Sequence, residues 1–551
     1  MADGDRDQRW LPPALTLAFL CLAGFAMASH ELWRDEAQPW LVALHSSSLL
    51  ELFRHIKYEG HPGLWYTCLF LLSRVTDSPI AMQLLHLAIG AAGVWIFARY
   101  APFTPLQRVL FAFGYFPLYE YTVVSRDYGL GMLLLLATCA ALGARTLRFP
   151  LVVLLFALLP HTNVFAAIIG LALGIALLAD RWLPGGPVLA QGVSRTQLAG
   201  GALLVAISVG LAVLQTMPPA DLHLNQISRP RPELRFLAKR FRSVVPALFP
   251  IPQPQPHWWM EPSRRSWWEL RPWRAPAAVA AYALIFWVGL GLLARLRSLL
   301  FLAATMAGLV TFMYLRFPGE LRHFGYFFVA LVMALWLGKI EDARRGMASD
   351  GWIGRAWSSA QGNLFTLLLG VHAVGGLMAV GLERRYVFSN AKETAAYLVE
   401  HGLDRAPLVV QHDFSQAVLL YLGRKQAYFP RSDRTGSFGM WDRERFPPVS
   451  DSTCLERARR LAAEQGSPAV LMVDHPLTLT SRDSLDTREL VRFTGSVVED
   501  EDFYLYSVGL PASDRAKPRT TTENHRGAEA QRDCRVDGAS SPRPQQYLVV
   551  V

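Results

Sequence analysis

The sequence predicts a polytopic α-helical membrane protein of about eleven transmembrane helices, with juxtamembrane helices in its first external loop and a C-terminal soluble α/β domain. Three observations carry this. The 551 residues are 52% hydrophobic and only 18% charged, with a mean hydropathy of +0.23. Apolar runs recur from Leu11 to Gly381, many near the roughly 20 residues needed to cross about 30 Å of hydrocarbon. Polar material is concentrated after Glu383. These boundaries divide the chain into a membrane domain over 1–382, an α/β domain over 383–510, and a tail over 511–551 rich in Arg, Ser, Pro and Asp that is expected to be disordered.

The first helix, about Pro13–Ser29, is expected to run outward and to stay uncleaved. Ala26-Met27-Ala28 looks like a signal-peptidase site, but the preceding Asp3-Gly4-Asp5-Arg6-Asp7 is acidic where a signal peptide is basic. Gly63–Ser73 is too short to span and suits an interfacial helix. Ile80–Tyr100 is full length, carries Arg99 at its far end and is followed by Arg108, and the positive-inside rule places both arginines in the cytoplasm. Were Gly63–Ser73 a span, those arginines would face outward. Charge parity therefore makes residues 30–79 one long external loop.

The alternation continues with Leu106–Val124 outward, an external Ser125-Arg126-Asp127 turn, and Tyr128–Gly143 inward to Arg145 and Arg148. Pro150–Leu159 and Val164–Ala179 flank an external turn holding His161. Leu198–Leu214, Ala277–Ala294, Leu299–Leu315, Phe324–Leu337 and Leu364–Gly381 complete the set, leaving the N-terminus inside and the C-terminal domain outside. The loop between Met217 and Ala275 carries ten Arg and Lys residues with Trp258, Trp259, Trp267, Trp268 and Trp273. It suits either an interfacial anchor on anionic headgroups or a lid over a phosphate-bearing lipid.

After Glu383 the pattern is α/β. Ala391–His401 and Ser415–Leu422 read as helices, Pro407–Gln411 and Ala469–Asp474 as buried strands, and Val491–Glu499 with Asp502–Val508 as a terminal hairpin. His412-Asp413 and Asp474-His475 follow the two buried strands. They would converge if those strands were parallel neighbours, although ordinary loop polarity explains them as simply.

The net charge of +10 suits anionic headgroups and phosphorylated substrates. Nucleic acid is excluded as a partner, because the basic residues lie in loops between spans. Five scattered cysteines with no CxxC spacing support neither a disulfide framework nor a zinc site.

The chemistry-bearing residues fall on one predicted face. Asp35 and Glu36 lie between Trp33 and Trp40 just outside the first helix. A carboxylate pair there can be a general base, a metal ligand or surface charge, and an apolar interface would raise its pKa values. His61, in Glu59-Gly60-His61-Pro62-Gly63, shares that loop; a His-Pro pair also simply opens helices. Arg126, with Tyr128, sits at one helix mouth, and Arg322-His323 at another. Arginines in such places suit bidentate phosphate contact or snorkelling.

An Asp-Glu pair after the first helix, a His-Pro-x-Leu-x-Tyr element, and Ser-Arg-x-Tyr opening a helix together resemble the GT-C glycosyltransferases. The likeness is to bacterial proteins with the RgtA/B/C/D-like, protein O-mannosyltransferase-type domain, which include aminoarabinose transferases of lipid A. It covers about Leu11–Leu337. One departure is His61-Pro62-Gly63 where the family has His-Pro-Pro.

The resemblance implies a GT-C-like fold and a bacterial inner-membrane enzyme using a polyprenyl-phosphate sugar donor, with a lipid, glycan or protein acceptor on the periplasmic face. It implies Asp35 as catalytic base and Glu36 as its support or as orienter of the acceptor. Arg126, Tyr128, Arg322 and His323 would hold the donor phosphate, with His61 in a substrate loop. No cofactor is implied, although some branches use a divalent cation. Two other readings compete: a transporter or flippase of a polyprenyl-linked glycan, which would place ionisable groups near mid-membrane, and a non-catalytic membrane assembly protein.

Overall fold

The computed structural model describes residues 9–509 except 145, 221–236, 238–240, 260–270, 347–351, 412–415, 424, 440–448 and 482. The expected disordered tail, His412-Asp413, Trp267, Trp268 and most of the basic loop's arginines lie outside the described residues.

The chain enters on α1 (Leu11–Met27). It then forms three short helices, α2 (Arg34–His45), α3 (Leu49–His55) and α4 (Gly63–Ser73). The membrane bundle continues with α5 (Ile80–Tyr100), α6 (Pro105–Ala112), α7 (Asp127–Leu142), α8 (Phe149–Leu158), α9 (Val164–Ala179) and α10 (Arg195–Thr216). After a short α11 (Val244–Leu248) come α12 (Arg271–Gly291), α13 (Leu296–Leu315), α14 (Leu321–Arg345) and α15 (Trp352–Arg385). Among the described residues six helices are long and apolar enough to cross a membrane, and the shorter apolar ones include α1, α4, α7 and α9. The eleven-residue α4 agrees with the expected interfacial helix, being little over half of a spanning length.

Burial separates central from peripheral helices. In α14, 89% of the apolar window is buried, against 17% in α10. α10 turns Leu203, Leu204, Ile207 and Leu211 outward, as a lipid-facing helix must. α14 therefore passes through the middle of the bundle, with Arg322 at its first turn.

The expected helix over Leu106–Val124 is broken in two. α6 ends before Gly114, and residues Tyr115–Val123 form a π-helical segment. Pro117 has no N–H to donate, and the following groups bond one residue further back, as Val124 N–H does to the Tyr119 carbonyl. Its contact with α5 is close: a Cβ on Gly90 would lie 2.1 Å from Thr122 Oγ1. His86 on α5 meets the Thr122 carbonyl at 2.9 Å and the Arg126 carbonyl at 2.6 Å. The backbone carrying Arg126 is thereby tied to α5.

Gly63 accounts for the His-Pro-Gly departure. The residue opens α4, with Pro62 as the N-cap rather than inside the first turn. Its N–H donates to Gln215 Oε1 at 3.1 Å, and a Cβ there would stand 2.6 Å from Phe53. A proline would lose the first contact and collide at the second.

The C-terminal part contains α16 (Ala391–Glu400), α17 (Gln416–Tyr421) and α18 (Asp451–Gln465). Its strands are β1 (Leu408–Val410), β2 (Ala427–Phe429), β3 (Arg434–Gly436), β4 (Ala469–Val473), β5 (Thr487–Phe493) and β6 (Phe503–Val508). They form one sheet in the order β3-β2-β1-β4-β6-β5. β1 and β4 are parallel neighbours, the condition under which the loops after them would converge, and β5–β6 is an antiparallel hairpin whose first strand begins at Thr487 rather than at the expected Val491. The parallel strands are apolar throughout because helices cover both faces.

One apolar core joins Trp40, Leu41, Leu52 and Trp65 of the first-loop helices to Val410, Leu419, Met472 and Leu505 of this domain. The short helices α2–α4 thus pack as a layer between the membrane bundle and the sheet, and α2 carries Asp35.

Candidate active site

α2 begins at Arg34, with Trp33 as an extended N-cap. Asp35 and Glu36 occupy its first turn, where the exposed backbone N–H groups favour carboxylates. From there the two adjacent side chains part, and their surroundings differ sharply.

Asp35 is 27% exposed and faces three guanidiniums. Its Oδ2 lies 3.3 Å from Arg126 Nη1 and 3.3 Å from Arg322 Nη2, and Oδ1 lies 3.6 Å from Arg34 Nε. Arg126 also donates to the Asp35 main-chain carbonyl. Burial by itself would raise the carboxyl's pKa. Arg126, then Arg322, Arg34 and His61, outweigh it and hold Asp35 below the ordinary carboxylate value. This corrects the sequence expectation of a raised pKa: the chain folds three guanidiniums and an imidazole around a position whose sequence neighbours are tryptophans.

Glu36 is fully buried. Its Oε1 accepts the Ser125 N–H at 2.5 Å, and its Oε2 accepts the Trp33 N–H at 3.4 Å and meets His30 Nε2 at 2.8 Å. The other imidazole nitrogen, Nδ1, meets Glu383 Oε1 at 3.0 Å, and Tyr119 donates to the second Glu383 oxygen. An imidazole between two carboxylates is held as imidazolium. Burial would lower the His30 pKa, but Glu36 and Glu383 together raise it well above the ordinary value. Glu36 therefore fixes the residues on both sides of the site, Asp35 by covalent adjacency and Arg126 through the backbone of Ser125. Of its two expected roles, this geometry suits support of Asp35.

Arg322 is clamped from several directions. It pairs with Glu320 at 2.7 Å and lies over the Trp33 and Trp259 rings at 5.4 and 5.7 Å. Trp259 is fixed in turn by donating from Nε1 to Glu120 Oε2 at 2.9 Å, inside the π-helical segment. The Nε of Arg322 is buried with no hydrogen-bond partner among the described residues.

His323, by contrast, is committed. Its Nδ1 accepts the Glu320 N–H at 2.8 Å, so Nε2 carries the proton, and it meets the Tyr128 hydroxyl at 2.8 Å. Phe165 and Phe317 close around the ring. His323 orients Tyr128, over whose ring Arg126 lies at 5.9 Å. His61 reaches the same cluster, with Nδ1 3.6 Å from Asp127 Oδ2. All seven residues expected from the sequence thus gather around one point, but Glu36 and His323 stand behind the others. Among the described residues no group of three or more His, Cys, Asp or Glu side chains is placed to hold a metal ion.

Sequence reasoning missed His30, Glu120 and Glu383, and placed Trp259 in an anchoring or lid loop without its contact to Arg322. The available signal was ionisable residues at the ends of apolar runs, where burying a charge requires a partner. It also missed Arg34, which pairs with Asp500, and Glu501, which accepts the Arg34 N–H at 2.7 Å. In the α/β domain, His475 bridges Asp474 at 2.7 Å and Asp451 at 3.1 Å on the surface. The Asp474 hydrogen bond is the main reason that its pKa rises to about 9. His161 Nε2 meets Ser208 Oγ at 3.0 Å, which ties its turn to the neighbouring helix α10.

No protein-family model matches the sequence, and no curated protein does. Among the solved structures similar to the chain are two of one protein. One is ArnT from Cupriavidus metallidurans bound to undecaprenyl phosphate, 12% identical, covering 94% of this chain and 100% of that one with a TM-score of 0.48. The other is the same protein in its apo state, 14% identical, covering 92% and 99% with a TM-score of 0.48.

Proposed function

We propose that the protein is an integral-membrane glycosyltransferase. It moves a sugar from a polyprenyl-phosphate-linked donor to an acceptor hydroxyl of a lipid, glycan or protein on the external face of the membrane. The observation that carries this reading is a single partly exposed carboxylate, Asp35, shared by Arg126 and Arg322 at the rim of a bundle of membrane-length helices.

Two guanidiniums converging on one anion form a ready site for a phosphate, which offers oxygens to both. In this arrangement Asp35 occupies that place. When the donor phosphate takes over Arg126 and Arg322, Asp35 loses its strongest stabilising charges and becomes more basic. It then accepts the proton of the acceptor hydroxyl as that oxygen attacks the anomeric carbon. The bond between the anomeric carbon and the phosphate oxygen breaks, and its electron pair stays on the lipid phosphate. Arg126 and Arg322 stabilise the charge developing there. Tyr128, oriented by His323, and His61 border the reacting groups. Glu36, through His30 and Glu383, sets the spacing between base and arginines.

The test is direct. Purified wild-type protein given a polyprenyl-phosphate sugar and a membrane glycolipid extract should release free polyprenyl phosphate and yield a heavier glycolipid. Asp35→Asn should do neither while inserting normally. Full turnover by Asp35→Asn would overturn the mechanism.

A further inference from the structure

Away from the Asp35 site, a cavity of about 530 Å³ opens between the α/β domain and the first-loop helices. It falls in the roughly 300–1,000 Å³ range of small-molecule sites. His45 and His55 line it on one side, and Gln426, Phe429, Arg434 and Phe438 on the other.

The chemistry of the lining is one-sided. It offers a guanidinium, two imidazoles, an amide, several hydroxyls and two phenyl rings, with no carboxylate among its described residues. Arg434 lies on the edge strand β3, exposed, and its side chain has no ion pair among the described residues. Each imidazole is steadied through Nδ1: His45 on the Leu41 carbonyl at 3.0 Å, His55 on Ser46 Oγ at 3.0 Å. The His55 ring also meets the Phe438 ring edge-on at 5.1 Å. The acid nearest His55 is Glu51, 3.9 Å from its Nε2 and already bonded by Ser47. Donor groups beside a guanidinium that has no ion pair among the described residues select a ligand rich in acceptor oxygens and negatively charged. Aromatic faces beside them suit the apolar face of a sugar ring.

The cavity is tied to the catalytic helix. Gly439, in its wall, accepts from Gln38 Nε2 at 2.8 Å and donates to Gln38 Oε1 at 3.2 Å. Gln38 stands one turn beyond Asp35 on α2 and also donates to Glu59 at 2.6 Å. Asp35 and His45 are the two ends of that helix, about 15 Å apart at 1.5 Å per residue. Residues 36–44 between them are buried, so the cavity is a site separate from the one around Asp35.

We propose that this cavity is a binding site for an acidic saccharide, with Arg434 engaging its carboxylate and Phe438 a ring face.

The experiment uses the full chain in detergent micelles and trigalacturonate as the probe, followed by calorimetry and saturation-transfer NMR. Wild type and Asp35→Asn should bind it equally. Arg434→Ala, an exposed edge-strand change whose melting temperature should match wild type, should weaken binding at least tenfold. The neutral trisaccharide of galactose should bind wild type at least tenfold more weakly, and equimolar inorganic phosphate should not displace the probe. Absence of binding to wild type, or unchanged binding to Arg434→Ala, would overturn the proposal. So would displacement by phosphate, which would make the cavity a simple anion pocket. Full transfer activity in Asp35→Asn would sink the catalytic reading while leaving these binding results in place.

Discussion

Replacing Asp35 by Asn should move catalysis and donor binding in opposite directions. The side chain keeps its shape but loses its charge, so the acceptor hydroxyl has no base. Loss of a positioned general base costs about 10²–10⁴ in kcat. In the unliganded protein, however, Asp35 competes with the donor phosphate for Arg126 and Arg322. Both contacts are 3.3 Å long, and the three side chains are 27%, 9% and 12% exposed. Partly exposed pairs of this kind are worth about 0.2–1 kcal/mol each after solvent screening. Removing both therefore releases roughly 0.5–2 kcal/mol, which at 1.4 kcal/mol per decade is about 2- to 30-fold tighter binding of polyprenyl phosphate. Calorimetric titration of the purified protein with a short-chain polyprenyl phosphate measures the second effect, and single-turnover transfer the first. Tighter binding with lost turnover is the expected pair. Weaker binding in Asp35→Asn would refute the idea that Asp35 holds the place of the phosphate, whatever happens to turnover.

Other perturbations report on the supports. Glu383→Ala leaves the buried His30 imidazolium with one carboxylate instead of two; stability should fall by about 3–5 kcal/mol, read as a lower melting temperature in detergent. Burial raises the Glu501 carboxyl to about 8, with Arg34 and Ser389 opposing. The folded state thus holds this proton more tightly than the unfolded chain. That contribution to stability is complete below the ordinary value of 4.5 and is lost as pH rises towards 8. Glu501→Gln, which mimics the protonated form, should flatten melting temperature between pH 5 and pH 8, and an unchanged slope would contradict the assignment. Gly63→Pro removes the bond to Gln215 and crowds Phe53; a cost of about 1–3 kcal/mol is expected, again visible in thermal melts. Reporter fusions truncated after Arg108 and after Arg126 should behave as cytoplasmic and periplasmic, respectively; reversal would show that α4 crosses the membrane.

Much of the architecture could be read from periodicity and charge, because both are local. A run of apolar residues declares a membrane helix wherever it occurs. The eleven residues of α4 are too few to span, and β1 and β4 are legible as two short, wholly apolar strands; that they pair in parallel is decided by the fold. The residues gathered around Asp35 were also legible, since Asp35, His61, Arg126 and Arg322 all sit just beyond the ends of apolar runs. Their state was not. Whether Asp35 is raised or lowered depends on which charges come within a few ångströms, and its neighbours Arg126 and Arg322 are 91 and 287 residues away. Nor could composition say that Glu36 turns inward to His30 and Ser125 while Asp35 turns outward, because adjacent residues on a helix diverge by about 100°. The π-helical break at Pro117, the Trp259 clamp on Arg322 and the layer of short helices shared with the sheet belong to the same class. Apolar runs mark the helices long enough to cross a membrane and the ionisable side chains at their ends, because both signals are local. Only the tertiary structure decided which of them face one another, because pairing of buried charges is a property of distance in space and not of spacing along the chain.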